Sequence, residues 1–225
     1  MNPNTNTSGR RHFLKAATAL TAGFALFKGF EASNLFAEEQ PKETEGLFMI
    51  GPMKGYTPQV GTLVSMLNYN RSTIIKSVQS LTGEQLDFLH DTHANSIGAL
   101  IMHLGAIEKF YQINTFEGRQ EFNDEEKKIW HAAMELGDEG RKEIRGKEVS
   151  YYLDLIAGVR AQTLEAFKKK DDQWLLAKDP KWSKPNEPLN TYWKWFHVCE
   201  HESNHRGQIA FLKSRLPGAK AVGKD

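Results

Sequence analysis

The sequence predicts an all-α protein whose main domain is a four-helix bundle, with one short additional helix on its surface. Four long segments repeat apolar residues at a period close to that of an amphipathic helix. Cap-forming residues precede these segments, and Pro and Gly follow the last of them. No segment alternates apolar and polar residues as a half-buried strand does. We therefore expect the bundle over residues 56–216.

The first half of this domain contains two long helices. The first is predicted from about Tyr56, with apolar residues at helical spacing up to Val78. Thr82 is the expected cap of the short segment that follows. Ser96 is the predicted N-cap of the second long helix, which is apolar on nearly every side through Ile113. This helix therefore belongs at the centre of the bundle.

The second half contains the surface helix and two further long helices. Residues 123–136 open with an Asn and three acidic residues and are strongly amphipathic, which predicts a short surface helix. A third long amphipathic helix is predicted over residues 149–170. The last helix is expected from about Leu189 to Leu216, because Pro217 stops it there.

The N-terminal residues 1–37 resemble a twin-arginine export signal. Arg10 and Arg11 precede an uncharged apolar run of twelve residues. This run is too short to span a bilayer comfortably, for which about 20 residues are needed. We expect export to the periplasm and cleavage after Ala37, which leaves no stable membrane span. An N-terminal anchor that is not cleaved is the alternative.

Charge and cysteine content argue against a nucleic-acid-binding protein and against a fold held by internal disulfides. Residues 1–37 carry four Lys and Arg and one acidic residue, which leaves 25 basic and 27 acidic residues for 38–225. Since nucleic-acid binding needs an excess of clustered basic residues, no nucleic-acid partner is expected. Cys199 is the single cysteine, so no internal disulfide forms, and we interpret it as a small buried hydrophobe. Residues 38–55 are interpreted as a linker and 217–225 as a C-terminal tail.

Two histidines in the last helix indicate a metal site. His201 and His205 lie four residues apart, so their rings project about 40° from each other and both reach one ion. With Glu202 they also match the H-E-x-x-H pattern of zinc peptidases. Residues 206–225 contain no His or Glu that would supply the third peptidase ligand, which argues against that class.

The predicted third ligand is His103, in the most apolar helix of the chain. An imidazole buried there without a partner costs about 1–3 kcal/mol. A lone histidine would be satisfied by a hydrogen bond to a carbonyl or to another helix. Combined with the pair on the last helix, however, His103 favours a three-histidine metal site in the bundle core. The remaining histidines are not expected to bind the metal; they are His12, His90, His93, His131 and His197.

Three polar residues near these histidines have more than one interpretation. Glu202 is either a general base on bound water or, as we favour, the partner of Arg206 in an exposed ion pair four residues apart. Gln208 lies on nearly the same face as His201 and is expected to line the cavity. Glu108 lies about 140° around its helix from His103, so the two do not share a face.

The segments "HVCEHESNHRGQI" (197–209) and "SIGALIMHLGAIEKFY" (96–111) together resemble the DinB-like superfamily. The H-x-x-x-H-R-G-Q portion is its distinctive part. The resemblance implies a four-helix bundle that holds a divalent metal through His103, His201 and His205. Some relatives use this metal to activate the sulfur of a low-molecular-weight thiol, while many others have no assigned reaction.

The expected function is therefore metal-dependent. Zn²⁺, Ni²⁺, Fe²⁺ and Mn²⁺ all accept imidazole ligands, and we favour Zn²⁺ or Ni²⁺. The expected activity is that of a hydrolase or a thiol-type transferase acting on an unidentified small molecule, with no catalytic side chain assigned. The alternative is a non-catalytic, stress-related bundle that binds metal or ligand. A homodimer is left open.

Overall fold

The computed structural model describes residues 45–219, and within them it is helical, with eight helices and no sheet. The proposed signal peptide (1–37), the first part of the linker (38–44) and the end of the tail (220–225) lie outside the described residues. None of the helices described combines the length and the apolar composition that crossing a membrane requires.

Four long helices alternate with four short ones. In chain order they are α1 (Pro58–Val78), α2 (Gly83–Asp87), α3 (Ile97–Thr115), α4 (Asp124–Glu135), α5 (Gly137–Glu143), α6 (Val149–Phe167), α7 (Asp172–Leu176) and α8 (Thr191–Lys213). Helix α3 packs against α6 and α8, and α1 packs against the same two helices. The long helices therefore form a ring in the order α1, α8, α3, α6, which confirms the predicted four-helix bundle.

The predicted caps are present, while the last helix is shorter than expected. Ser96 accepts a hydrogen bond from the Ala99 amide at 3.1 Å, and Thr82 forms a capping box with Gln85. Helix α8 starts at Thr191 and ends at Lys213, and the chain continues to residue 216 in turns. The side chain of Asn190 caps the start of α8, which a hydrophobic pattern alone does not reveal.

The described part of the linker lies against α1. The Gly51 amide donates to Ser65 Oγ at 3.1 Å, and Met53 packs into the core formed by α1, α8 and α7. A Cβ atom on Gly61 would lie 2.5 Å from the backbone nitrogen of Met53. Glycine at this position therefore permits the close crossing of residues 45–55 over the helix.

A buried network of four charged residues joins the four long helices. Arg71 of α1 donates to Glu108 Oε2 of α3 at 2.8 Å and, through Nε, to Glu202 Oε1 of α8 at 2.9 Å. Arg160 of α6 donates to Glu108 Oε1 at 2.7 Å and to Glu202 Oε1 at 3.0 Å. Each residue is at most 6% exposed, and the two positive charges balance the two negative ones. We call these four residues the ion network.

The ion network also uses polar groups of the surrounding helices. Arg71 donates to the carbonyl of Ile156 at 2.8 Å, Arg160 donates to that of Leu67 at 2.9 Å, and Thr163 donates to Glu108 at 2.6 Å. Burial alone would raise the pKa of Glu108, but Arg160 and Arg71 lower it to about 2. The carboxylate therefore stays ionised in the core.

The prediction that Glu202 and Arg206 form an exposed ion pair is wrong. Glu202 is 1% exposed and binds the two buried arginines, while Arg206 donates to Thr73 at 3.2 Å. A surface pair at this spacing is worth only a few tenths of a kcal/mol. Leaving two buried guanidinium groups with Glu108 as their single carboxylate costs far more, so the core contact determines where Glu202 lies.

Substitution of Glu108 by Gln should destabilise the fold strongly. It leaves two buried guanidinium groups with one carboxylate, and breaking a buried ion pair costs about 3–5 kcal/mol. The free energy of unfolding, measured by urea denaturation, should fall by this amount. Glu165→Gln is the matched control, because Glu165 forms an exposed pair with Lys168. Equal losses in the two variants would contradict a structural role for the ion network.

Candidate metal centre

Three histidines predicted from the sequence lie together between α3, α4 and α8. His103 Nε2 lies 3.2 Å from His201 Nε2, and His205 Nε2 lies 3.1 Å from the same atom. The three candidate ligand atoms all lie within 4.8 Å of one another. Among the described residues, this is the group of His, Cys, Asp and Glu side chains arranged to hold a metal ion. We call it the three-histidine cluster.

Hydrogen bonds on the far side of two rings fix their tautomers. His103 Nδ1 lies 2.6 Å from the carbonyl oxygen of Ala133, which accepts only, so Nδ1 is the donor. His205 Nδ1 donates to Gln208 Oε1 at 3.0 Å, and Gln208 Nε2 in turn donates to Asn204 at 2.9 Å. In the neutral rings, Nε2 of both His103 and His205 therefore carries a lone pair.

The converging nitrogens fit a shared cation. His201 Nε2 carries at most one proton, so it donates to only one of its two neighbours at 3.1 and 3.2 Å. The lone pair of the other neighbour is then left without a donor, and if His201 Nε2 carries no proton, all three lone pairs face one another. Imidazole nitrogens bound to one zinc ion at about 2.0–2.1 Å lie about 3.3 Å apart in tetrahedral geometry. The spacing and protonation of the cluster are therefore compatible with a divalent metal.

Burial keeps the cluster neutral. Desolvation lowers the pKa of His103 to about 4, although the hydrogen bond to Ala133 opposes the shift. Desolvation and the neighbouring His205 and His103 lower the pKa of His201 to about 3, and burial also lowers the pKa of His205. Neutral imidazole is the form that binds metal, so these rings need lose no proton at pH 7 to accept an ion.

His197 lies beside the cluster without joining it. Its ring stacks on Trp193, with the centroids 5.5 Å apart and the planes 3° from parallel. Its Nδ1 atom lies 2.9 Å from Glu200 Oε1, and its ring centroid lies 5.5 Å from that of His201. His197 therefore extends an aromatic row along α8 from the cluster to an exposed Trp.

The other residues singled out from the sequence lie away from the cluster. His90 and His93 are exposed in the loop between α2 and α3, and His131 is exposed on α4. Cys199 is buried, as predicted, with a pKa raised to about 11, chiefly by desolvation. Glu108 belongs to the ion network and forms no hydrogen bond with His103 in the described part of the chain.

Helix α4, which was predicted to lie on the surface, also packs against α3 and orients one histidine of the cluster. Its outer face is exposed, but Trp130 and Ala133 are buried against α3. The carbonyl of Ala133 is the acceptor that orients His103. A backbone carbonyl has no side-chain signature, so the hydrophobic pattern predicts the packed face but not this contact.

A cavity of about 580 Å³ lies beside Gln208, the hydrogen-bond acceptor of His205 Nδ1. One side is the loop of residues 93–95, and the other is the face of α8 that carries Asn204, Gly207, Gln208 and Phe211. Its volume falls within the range of small-molecule sites. We call this cavity the amide groove, because side-chain amides line it. Gln208 lines this groove, and its expected place in the cavity at the metal stays a prediction.

The family follows from a comparison of the whole domain. A family model described as mycothiol-S-transferase matches residues 62–218, more than half of the chain. The chain belongs to the mycothiol-S-transferase family, a DinB-like family. This match includes the three-histidine cluster and confirms the resemblance seen in the sequence. A comparison with curated proteins finds no match.

The match to the mycothiol-S-transferase family covers the three-histidine cluster and the helices that hold it. The matched region begins inside α1 and ends just after α8, so it contains most of α1, all of the other three long helices and the complete ion network. The family and the cluster together are compatible with a divalent metal. They do not identify the ion, and the preference for Zn²⁺ or Ni²⁺ stays a prediction.

Metal-free protein should lose stability as the pH falls below about 6.5. The unfolded chain binds protons at its histidines near pH 6.5, whereas folded His103 and His201 resist protonation until about pH 4 and 3. The free energy of unfolding, measured with a chelator present, should therefore decrease from pH 6.5 towards pH 4. His103→Gln should make this decrease shallower, and His131→Gln, on the surface, should not. The same slope in both variants would contradict a desolvated cluster.

Proposed function

We propose that this protein is a metal-dependent thiol S-transferase, in which His103, His201 and His205 hold a divalent cation. The observation that carries the proposal is the convergence of three neutral imidazoles on one point, in a bundle whose family is named for S-transfer of mycothiol. A bound divalent ion would supply Lewis-acid chemistry, lowering the pKa of a thiol or water that it binds.

The residues around the three-histidine cluster orient and protect it. Ala133 and Gln208 accept the Nδ1 protons of two rings, which directs both Nε2 lone pairs inward. Such outer hydrogen bonds fix ring orientation, and their loss typically lowers metal affinity 10- to 100-fold. His103 and His205 are each 8% exposed, so most of the bulk water is excluded from these ligands.

Hydrolysis by a general base is less well supported than thiol transfer. Among the described residues, no carboxylate belongs to the three-histidine cluster. Glu202 Oε1 accepts from Arg71 and Arg160, and Oε2 is buried without a hydrogen-bond partner in the described part of the chain. Thiol transfer needs no general base of its own if the thiol proton is lost to solvent once its pKa is lowered.

A catalytic role is favoured over a closed binding bundle. The amide groove is lined by Gln208, the hydrogen-bond acceptor of His205 Nδ1, and has the volume of a substrate site. A purely structural metal site is typically closed by a fourth protein ligand. The cluster provides three histidines and no fourth His, Cys, Asp or Glu among the described residues. The proposal of export through residues 1–37 is independent of this reasoning and rests on the twin-arginine pattern alone.

Substitution of His103 by Ala should abolish stoichiometric metal binding. It removes the ligand on α3 and leaves two histidines on one helix, which underbind a divalent ion. Elemental analysis of purified protein should find about one zinc or nickel per chain in the wild type and a small fraction of that in the variant. His197→Ala is the control, because His197 adjoins the cluster but is not part of it. Unchanged metal content in His103→Ala would exclude the proposed site.

Metal-loaded protein should accelerate the reaction of mycothiol with a chlorinated fluorogenic electrophile. The thiolate sulfur forms the new S–C bond, chloride leaves, and the thiol proton passes to solvent. The rate above the uncatalysed reaction should fall at least about 100-fold after chelation and return when the metal is restored. A rate that does not depend on the metal, or on His103, would contradict the proposed function.

A further inference from the structure

We propose that residues 47–50, in the segment that precedes α1, insert their side chains into the surface of a lipid bilayer. They are Leu47, Phe48, Met49 and Ile50, and we call them the apolar tip. The proposal is independent of thiol transfer, because the apolar tip belongs to the segment that crosses α1, while the three-histidine cluster lies between α3, α4 and α8.

The apolar tip is exposed in the folded chain. Phe48 is 78% exposed, the highest value for a large apolar side chain in the described part of the chain. Met49 and Ile50 are 56% and 49% exposed, and Leu47 is half-buried. Single exposed apolar residues are common on protein surfaces, but a consecutive run of them is not. Such a run is typical of a surface that meets a partner or a membrane.

Hydrogen bonds and packing hold the apolar tip in shape. The Met49 amide donates to the Gly46 carbonyl at 3.1 Å and closes a turn, in which Gly46 has a φ of 99°. On the other side of the tip, the Gly51 amide donates to Ser65 Oγ, and Met53 packs against the core. The segment therefore directs one apolar side chain inward and presents the tip outward, so the exposure is a property of the folded segment.

Tyr69 of α1 lies beside the apolar tip. Its ring centroid is 6.2 Å from that of Phe48, and the two planes make an angle of 64°. This contact leaves Phe48 largely uncovered. Tyrosine rings are enriched where a membrane meets water, because the apolar ring faces lipid while the hydroxyl group stays hydrated. The pair of Phe48 and Tyr69 thus has the composition of an interfacial contact.

The chain upstream of the apolar tip favours a lipid surface over a protein partner. Residues 1–37 resemble an export signal, whose uncharged apolar run over residues 16–27 is directed to a membrane. Residues 28–46 separate this run from the tip, and a fully extended chain of that length spans at most about 65 Å. The tip therefore stays close to the bilayer whenever the run is in it.

The charge of the segment is also compatible with insertion. Residues 46–53 contain no Lys, Arg, Asp or Glu, so no charged group loses its hydration when the tip enters the interface. A short apolar contact alone gives reversible binding, and stable attachment needs a second signal. The tip therefore holds the domain firmly against the bilayer when residues 1–37 are retained, and only transiently once they are cleaved.

The test measures contact between the tip and lipid acyl chains. In the full-length chain, Glu45→Cys places a label next to the tip, and Cys199 is buried and stays unlabelled. The label is nitrobenzoxadiazole, and the vesicles are phosphatidylcholine with a nitroxide on the acyl chain. Fluorescence should fall at least about twofold relative to vesicles without nitroxide. Ile129→Cys is the control, because Ile129 is 50% exposed on α4, which packs against α3 and not against α1; its fluorescence should not change.

A second variant separates the tip from its upstream chain. Phe48→Ser and Ile50→Ser, added to Glu45→Cys, remove two exposed apolar side chains and leave residues 1–44 in place. Both positions are exposed, so the variant should fold, which far-UV circular dichroism checks. Quenching should drop to the level of the Ile129→Cys control. Quenching that persists would show that the upstream chain alone brings Glu45 to the lipid, and it would overturn the role of the tip.

Other occupants of the apolar tip give different results. If a second copy of the chain covered the tip, light scattering without lipid would show a dimer that Phe48→Ser dissociates. If residues 38–44 covered it, the label at Glu45→Cys would report no contact with lipid, with or without the Ser substitutions. Either result would overturn the proposal.

Discussion

The buried ion network is the constraint on which the rest of the structure depends. Arg71, Glu108, Arg160 and Glu202 come from four different helices, and each is at most 6% exposed. Every guanidinium group contacts both carboxylates, so a shift of any one long helix along its axis would leave a buried charge unpaired. Because such a charge costs several kcal/mol, the network fixes the register of all four helices.

The same register positions the three-histidine cluster. His201 immediately precedes Glu202 on α8, and His103 lies five residues before Glu108 on α3. Once the two glutamates are held by shared arginines, the relative height of α3 and α8 is determined. His103 then lies level with His201 and His205, and their Nε2 atoms converge. A well-packed apolar core could match this stability, but it would tolerate sliding more easily.

The sequence predicted the cluster because each of its parts has a local signature. His201 and His205 show helical spacing, and His103 is a polar residue in an otherwise apolar helix. The ion network has no such signature, since Arg71 and Glu202 are 131 residues apart and Glu202 has a plausible local partner in Arg206. Local pairing rules favour the nearer arginine, and only the folded bundle shows that burial outweighs them.

The two outer hydrogen bonds of the cluster differ in a way that matters for ligand binding. His103 is oriented by the backbone carbonyl of Ala133, which α4 holds in a fixed position. His205 is oriented by the side chain of Gln208, which also faces the amide groove. A ligand that hydrogen-bonded to the Gln208 amide would change how strongly Gln208 accepts from His205 Nδ1. His205 is therefore the histidine of the cluster whose outer hydrogen bond is made by a residue of the amide groove, while the acceptor for His103 is a backbone carbonyl that is not part of the groove lining.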